Sequence, residues 1–328
     1  MLNRRQITAG LAGTSLASLP ILSSAQGTAN GYPAKPVRVL ISVPPGGTMD
    51  VLTRAIANAL RDSFGVIILD HKSGANGNIA MELMKQAEPD GHTLLLGTAS
   101  MLTINPHVYK EFRVDVFKDF EPIVLATRFG TALCAHPSVP ANNWTELVAW
   151  LKADPANTTI ASYGVGSLGH FVFELLERSL GIKLNHIPYR GATQAMQDLL
   201  GGQVKLFINT IGGSVIPYQT KRIKVFATSD IKRSPFLPDV PTFAELGHPK
   251  VVGAGWFSYL APKGTPKPVL AKLNAAFNQA LQSRELRSHL LANGQYPEGG
   301  TPQELTQLIQ SDYKKWGDLA KAINLQRT

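Results

Sequence analysis

A single cysteine, Cys134, stands in the 328 residues. An internal disulfide is therefore impossible, and within the apolar run TALCAHP the thiol reads as a buried core residue. The eight histidines include no H-E-x-x-H and no other close pair, so no metal site is expected. Lysine and arginine never run to five in a row despite a formal charge of +9, which leaves nucleic-acid binding without support. Neither Ser167 nor Ser214 sits in a G-x-S-x-G elbow, and no GK[ST] follows a glycine turn as a P-loop requires. Paired carboxylates at a catalytic spacing are also missing. Nothing in the chain asks for chemistry, so no enzyme, no catalytic residue and no cofactor is expected.

What is present suits a soluble globular protein: 44% hydrophobic and 17% charged residues, in a length that fits two domains or one large one. Residues 1–25 read as a cleaved secretory signal peptide. Arg4 and Arg5 form a basic start, residues 7–22 are mildly apolar but broken by Gly, Thr, Ser and Pro, and Ser23-Ser24-Ala25 offers a small-residue cut. That segment is too interrupted to span a membrane. Asn3-Arg4-Arg5 hints at the twin-arginine route, with the general secretory (Sec) route equally open. Losing the two arginines lowers the formal charge from +9 to +7. The excess reads as a generally basic surface or as a potential that draws in anions.

The rest of the chain is organised around residues 37–60. Val37, Val39, Leu40, Ile41 and Val43 have the composition of a buried strand; Pro44, Pro45, Gly46 and Gly47 end it in a turn. Thr48 is the expected N-cap of a helix whose apolar face is Met49, Leu52, Ile56 and Leu60, with Asp50 in the first turn. Strand, glycine turn and helix start together leave free N–H groups that can hold an anion. The spacing then predicts strands over residues 66–69 and 93–96, making βαβαβ. A second such unit follows, with strands over residues 159–163, 184–188 and 204–210 and helices over residues 170–180 and 193–200. The expected fold is α/β: two domains, each a mostly parallel sheet flanked by helices, with the ligand cleft between them. Residues 26–126 and 253–328 form domain 1, and residues 127–252 form domain 2. Two helices with start signals at Thr265-Pro266 and Thr301-Pro302-Gln303-Glu304 close the chain.

The second unit contains Gly164-Val165-Gly166-Ser167-Leu168-Gly169, a G-x-G-x-x-G between strand and helix. As a dinucleotide fingerprint it lacks the acidic residue about 20 positions on. Arg190 meeting a 2′-phosphate would make the chain an NADP-dependent oxidoreductase. A turn that binds a small anion through backbone N–H groups and Ser167 accounts for the same residues. His170, at the helix start, reads as a core or capping histidine, while Trp256 and Phe257 suit the core better than a ligand platform.

The run YPAKPVRVLISVPPGGTMD, with SGANGN, EPDGHTLLLGT, YGVGSLGH, HIPYRG, LLGGQV, KRSPFLPDVPT, GWFSYLAPKGTP and GGTPQEL, resembles the Bug family of periplasmic solute-binding proteins. These serve tripartite tricarboxylate transporters, and the motifs run in order over essentially the whole mature chain. The resemblance implies a type II-like periplasmic binding protein fold, monomeric, that closes on a small organic carboxylate like a flytrap and delivers it to membrane components. A ligand-binding sensor subunit would share that cleft. The residues expected to bind ligand are Pro45, Gly46, Gly47, Thr48, Asp50, Thr98 and Ser100 on one wall, and Gly164, Gly166, Ser167, His170, Tyr189, Arg190 and Asn209 on the other. The family often has Asp where this chain has Lys205 and Asn209, a change toward a more anionic ligand such as a dicarboxylate.

Overall fold

The computed structural model describes residues 31–322; the leader expected at residues 1–25 lies outside them. The first half runs β1 (Val37–Ile41), α1 (Thr48–Ala59), α2 (Arg61–Phe64), β2 (Ile67–His71), α3 (Asn78–Lys85), β3 (Thr93–Thr98), a π-helical turn Ser100–Ile104, α4 (Asn105–Val108) and the long β4 (Phe120–Ala135). The second half adds α5 (Trp144–Ala153), β5 (Thr159–Ser162), α6 (Leu168–Leu180), β6 (Asn185–Pro188), α7 (Ala192–Leu200), β7 (Leu206–Thr210), α8 (Gly212–Gln219) and β8 (Lys224–Thr228). The chain then returns through β9 (Ala254–Pro262), α9 (Lys267–Gln282), α10 (Arg284–Ala292), β10 (Tyr296–Gly299) and α11 (Pro302–Ala322).

Each βαβαβ unit puts its first strand in the middle. β1 pairs in parallel with β2 and β3, and β5 with β6 and β7. Beyond β3 and β7 the sheet becomes mixed, because each unit accepts an antiparallel strand and one of these strands serves both. β9 pairs with β3 in the first half, and β4 pairs with β7 in the second. β4 does both jobs: its residues up to Gly130 pair with β9, and from Thr131 onward it pairs with β7 and β8.

Helix faces follow the apolar spacing. Met49, Leu52 and Ile56 are buried on α1; Val269, Leu273, Phe277 and Leu281 are buried on α9. The capping box also forms, with the Glu304 N–H donating to Thr301 Oγ1 and the Thr301 N–H to Glu304 Oε2. Three details differ. Gly47, not Thr48, is the N-cap of α1, and α9 starts past Pro266, so Thr265 instead bonds back to the Pro262 carbonyl. The closing segment carries a further helix and a short strand: Ser283 caps α10, and β10 pairs with β4.

The two crossings between halves are tied together by Ser229. Its hydroxyl accepts from the Thr131 N–H (3.0 Å) and donates to the Gly253 carbonyl (2.6 Å). Asp230 packs against Gly130, where a Cβ would fall 2.1 Å from Asp230 Oδ1. Its Oδ2 is buried without a hydrogen-bond partner among the described residues, and burial pushes the carboxyl up to about 6. A carboxyl whose pKa is raised on folding destabilises the folded state once it ionises. That cost is present above about pH 6 and vanishes below the unfolded value. Asp230→Asn should therefore stabilise the protein by about 2 kcal/mol at pH 8 and by nothing near pH 3. Urea unfolding at both pH values checks it, and an equal gain at both would contradict it.

Candidate functional site

A cavity of about 400 Å³ lies between the halves, at the carboxyl ends of the parallel strands. From the first half it takes residues 42–44 and 47–49, Asn76 and residues 98–100. From the second it takes Tyr163, Leu168, residues 190–194, Gln197 and Thr210. Phe129, Gly255 and Phe257 line it from the crossing strands. Two helices begin here. α1 starts after Gly47 and α7 after Gly191, and neither has a side-chain cap. The first N–H groups of a helix have no partner within it, so both starts offer donors and partial positive charge. They approach each other closely: a Cβ on Gly47 would lie 3.5 Å from Thr193 Oγ1, and one on Gly191 3.6 Å from Pro44. Gly191 has φ +114°, a conformation only glycine adopts without strain.

The charges agree with this polarity. Arg190 is the single charged residue on the cavity wall, is exposed, and makes no ion pair among the described residues. Among the described residues no Asp or Glu lines the cavity. Phe129 and Phe257 stack with ring centroids 4.4 Å apart and, with Met49 and Leu168, supply an apolar surface for a ligand's body. Trp256, beside Phe257 in sequence, points the other way, fully buried, with its indole N–H on Asp312. Strand alternation thus separates one core aromatic from one that faces the cavity.

Of the residues singled out in the sequence, Gly47, Thr48, Thr98, Ser100 and Arg190 line the cavity together. The Thr48 and Thr210 hydroxyls meet across it at 3.2 Å. Pro45, Gly46 and Asp50 lie in or beside the loop leading to α1 but outside the lining. Gly164, Gly166, Ser167 and His170 are not on the lining either, and their turn is occupied. Ser167 caps α6 by accepting the His170 N–H (3.2 Å). The Gly166 N–H donates to His170 Nδ1, the Leu168 N–H to Ser100 Oγ and the Gly169 N–H to the Tyr163 hydroxyl (3.1 Å each). With those donors spent, the turn has little left for a phosphate. It docks on the first half instead, where the Tyr109 hydroxyl donates to the Val165 carbonyl at 3.3 Å.

Behind the turn, the His170 ring stacks on His186 at 4.2 Å and lies 3.5 Å from Glu174. Burial, with the neighbouring His170, drives His186 down to about 3. The Tyr189 hydroxyl donates to Asp198 (2.7 Å), and burial together with that carboxylate pushes it up to about 12. Asn209 is buried against Ser214, and Lys205 reaches Ser138 (3.0 Å); neither lines the cavity. Residues 191–194, Thr210, Asn76, Tyr163 and Phe129 were not singled out. The signal for Gly191 and Thr210 was their place at strand carboxyl ends, next to Arg190 and Asn209.

Two α/β halves that share the long β4 and enclose an anion-friendly cavity have the architecture of a solute-binding protein. The comparisons then place it in a family. Residues 52–325 match the model described as Tripartite tricarboxylate transporter family receptor, and the chain belongs to that family. It is 31% identical over 296 residues to Protein BugT of Bordetella pertussis, covering 90% of this chain and 91% of that protein. Among solved structures it is similar to R. palustris Rpa4515 with adipate: TM-score 0.87, 30% identity, covering 90% of this chain and 100% of that one. It is also similar to MatC from Rhodopseudomonas palustris with bound malate: TM-score 0.82, 30% identity, covering 88% and 99%.

Proposed function

We propose that this protein captures a small organic carboxylate, a dicarboxylate or an aromatic acid, and hands it to the membrane components of a tripartite tricarboxylate-type transporter. The observation that carries the reading is the pair of uncapped helix starts, α1 and α7, facing one cavity with Arg190 and, among the described residues, no acidic residue. Buried N–H donors and helix-end charge offset the loss of water around a carboxylate, and water exclusion strengthens each contact. Adipate and malate, bound by the two similar structures, are acids of this class.

In this reading the protein works outside the cytoplasmic membrane, exported by a leader at residues 1–25, and acts as a monomer. Its moving bodies are residues 26–126 with 253–328, and residues 127–252. Ligand shifts the balance toward the closed form only through contacts that the open form lacks. The Thr48–Thr210, Ser100–Leu168 and Tyr109–Val165 bonds, each joining the two halves, are of that kind.

The test is a thermal-shift screen of the mature protein against aliphatic and aromatic carboxylates, their amides, amino acids and NADP. A ligand that binds only the folded state raises its melting temperature as concentration exceeds the dissociation constant. The expected result is a shift with a carboxylate and none with the matching amide. A shift with NADP alone would overturn the reading.

A further inference from the structure

Residues 43–47 bring the start of α1 into the cavity, yet this loop of two prolines and two glycines has no polar side chain of its own to fasten it. It is fastened from behind. His71, the last residue of β2, stands beside Ile41 in the β1–β2 register. Its Nδ1 lies 2.8 Å from the Val43 carbonyl oxygen, and because a carbonyl only accepts, that nitrogen carries the hydrogen. The other ring nitrogen, Nε2, is 3.1 Å from Asp50 Oδ1. The two atoms make no regular hydrogen bond, and the contact is an attractive ion pair when this nitrogen is protonated as well. The second Asp50 oxygen, Oδ2, accepts the Gly46 N–H at 3.1 Å and the Arg54 Nε–H at 3.0 Å. Asp50 is only 4% exposed, and neither it, Arg54 nor His71 lines the cavity. One side-chain relay from β2 thus grips both ends of the loop.

We propose that His71 and Asp50 are positioning residues for the ligand, fixing residues 43–47 so that the free N–H groups of α1 aim at its carboxylate. This rests on the carboxylate-binding reading of the cavity. A carboxylate beside an anion site is otherwise unfavourable, since like charges repel and the repulsion grows as water is excluded. Three cationic or polar neighbours answer it here. Burial alone would raise the Asp50 carboxyl, but the bonds from Arg54 and Gly46, with the charges of Arg54 and His71, hold it below the ordinary carboxylate value. The negative charge is thereby spent locally, and what reaches the cavity is the position of the loop.

Charge and position predict opposite outcomes when the carboxylate is removed. If Asp50 acted mainly by repelling the ligand, Asp50→Ala would tighten binding; if it positions the loop, Asp50→Ala weakens it. The experiment uses the mature protein with His71→Ala, His71→Gln and Asp50→Ala. Amide hydrogen exchange without ligand should rise about tenfold or more at Gly46, whose N–H Asp50 holds, in both alanine variants, while the buried cores of α9 and α11 stay unchanged. His71→Gln, whose amide can still donate to the Val43 carbonyl, should restore most of that protection. Calorimetric titration with adipate and with malate should show, for whichever binds the wild type, a loss of about 10- to 100-fold in the alanine variants and an intermediate loss in His71→Gln. Unchanged exchange at Gly46, or tighter binding by Asp50→Ala, would overturn the proposal. If the wild type takes neither acid, the exchange result alone decides it, and the failure belongs to the ligand class instead.

Discussion

Gly212→Ala should lower the affinity for ligand by at least about tenfold while leaving the ligand-free protein as stable as the wild type. Gly212 begins α8 in the second half, and its backbone meets residues 293 and 294 of the first half. A Cβ there would lie 2.1 Å from the Asn293 carbonyl oxygen, and one on Gly294 would lie 2.6 Å from the Gly212 Cα. Both partners are backbone, so relief requires moving the halves apart by about 1 Å or more toward ordinary contact. Gly212 itself has no left-handed φ, and alanine is the better helix former, so nothing local opposes the substitution. The penalty therefore falls on the arrangement with the halves in contact. Titration calorimetry reads the affinity, and a melting scan without ligand reads the stability. Unchanged affinity would mean that this contact is no part of the bound state.

Arg190→Gln should weaken carboxylate binding by about 10- to 30-fold, toward the lower end for a hydrogen bond to a charged group because the guanidinium is exposed. Among the described residues no other cation lines the cavity and no acid opposes this one, so its loss leaves only neutral donors. The wild-type advantage should shrink as salt rises, since the charge sits where ions can screen it. Equal affinity in wild type and variant at low salt would remove Arg190 from the site.

The parts of the fold that depend on local rules were legible in the sequence. Val37, Val39, Leu40 and Ile41 are apolar, three of them β-branched, and form the buried part of β1; the glycine turn ends it; Val269, Leu273, Phe277 and Leu281 recur at helical spacing and are buried on α9. The sharing of β4 between the halves was not legible. β4 and β9 pair with partners far away in sequence, and β10, only Tyr296–Gly299, has no alternating pattern and exists by pairing with β4. The site divides in the same way. The start of α1 was legible as a source of free N–H groups, because the glycines and prolines before it bring no side chain to cap them. Which helix of the second half joins it depended on where single hydroxyls go. Ser167 turns its oxygen back onto α6 and Ser100 takes the next N–H, whereas Gly191 has no side chain with which to cap α7. A motif shows that a turn is sharp, and only the surrounding contacts show whether its donors are free.

The central claim is that α1 and α7 hold the ligand's carboxylate between their first turns. The most direct measurement is the change in backbone amide chemical shifts as the mature protein is titrated with the carboxylate that stabilises it most. The account predicts the largest changes at Gly47, Thr48, Met49, Ala192 and Thr193, with Gly166 and Gly169 following only as the halves close. Largest changes at residues 164–169, with the starts of α1 and α7 unmoved, would contradict it.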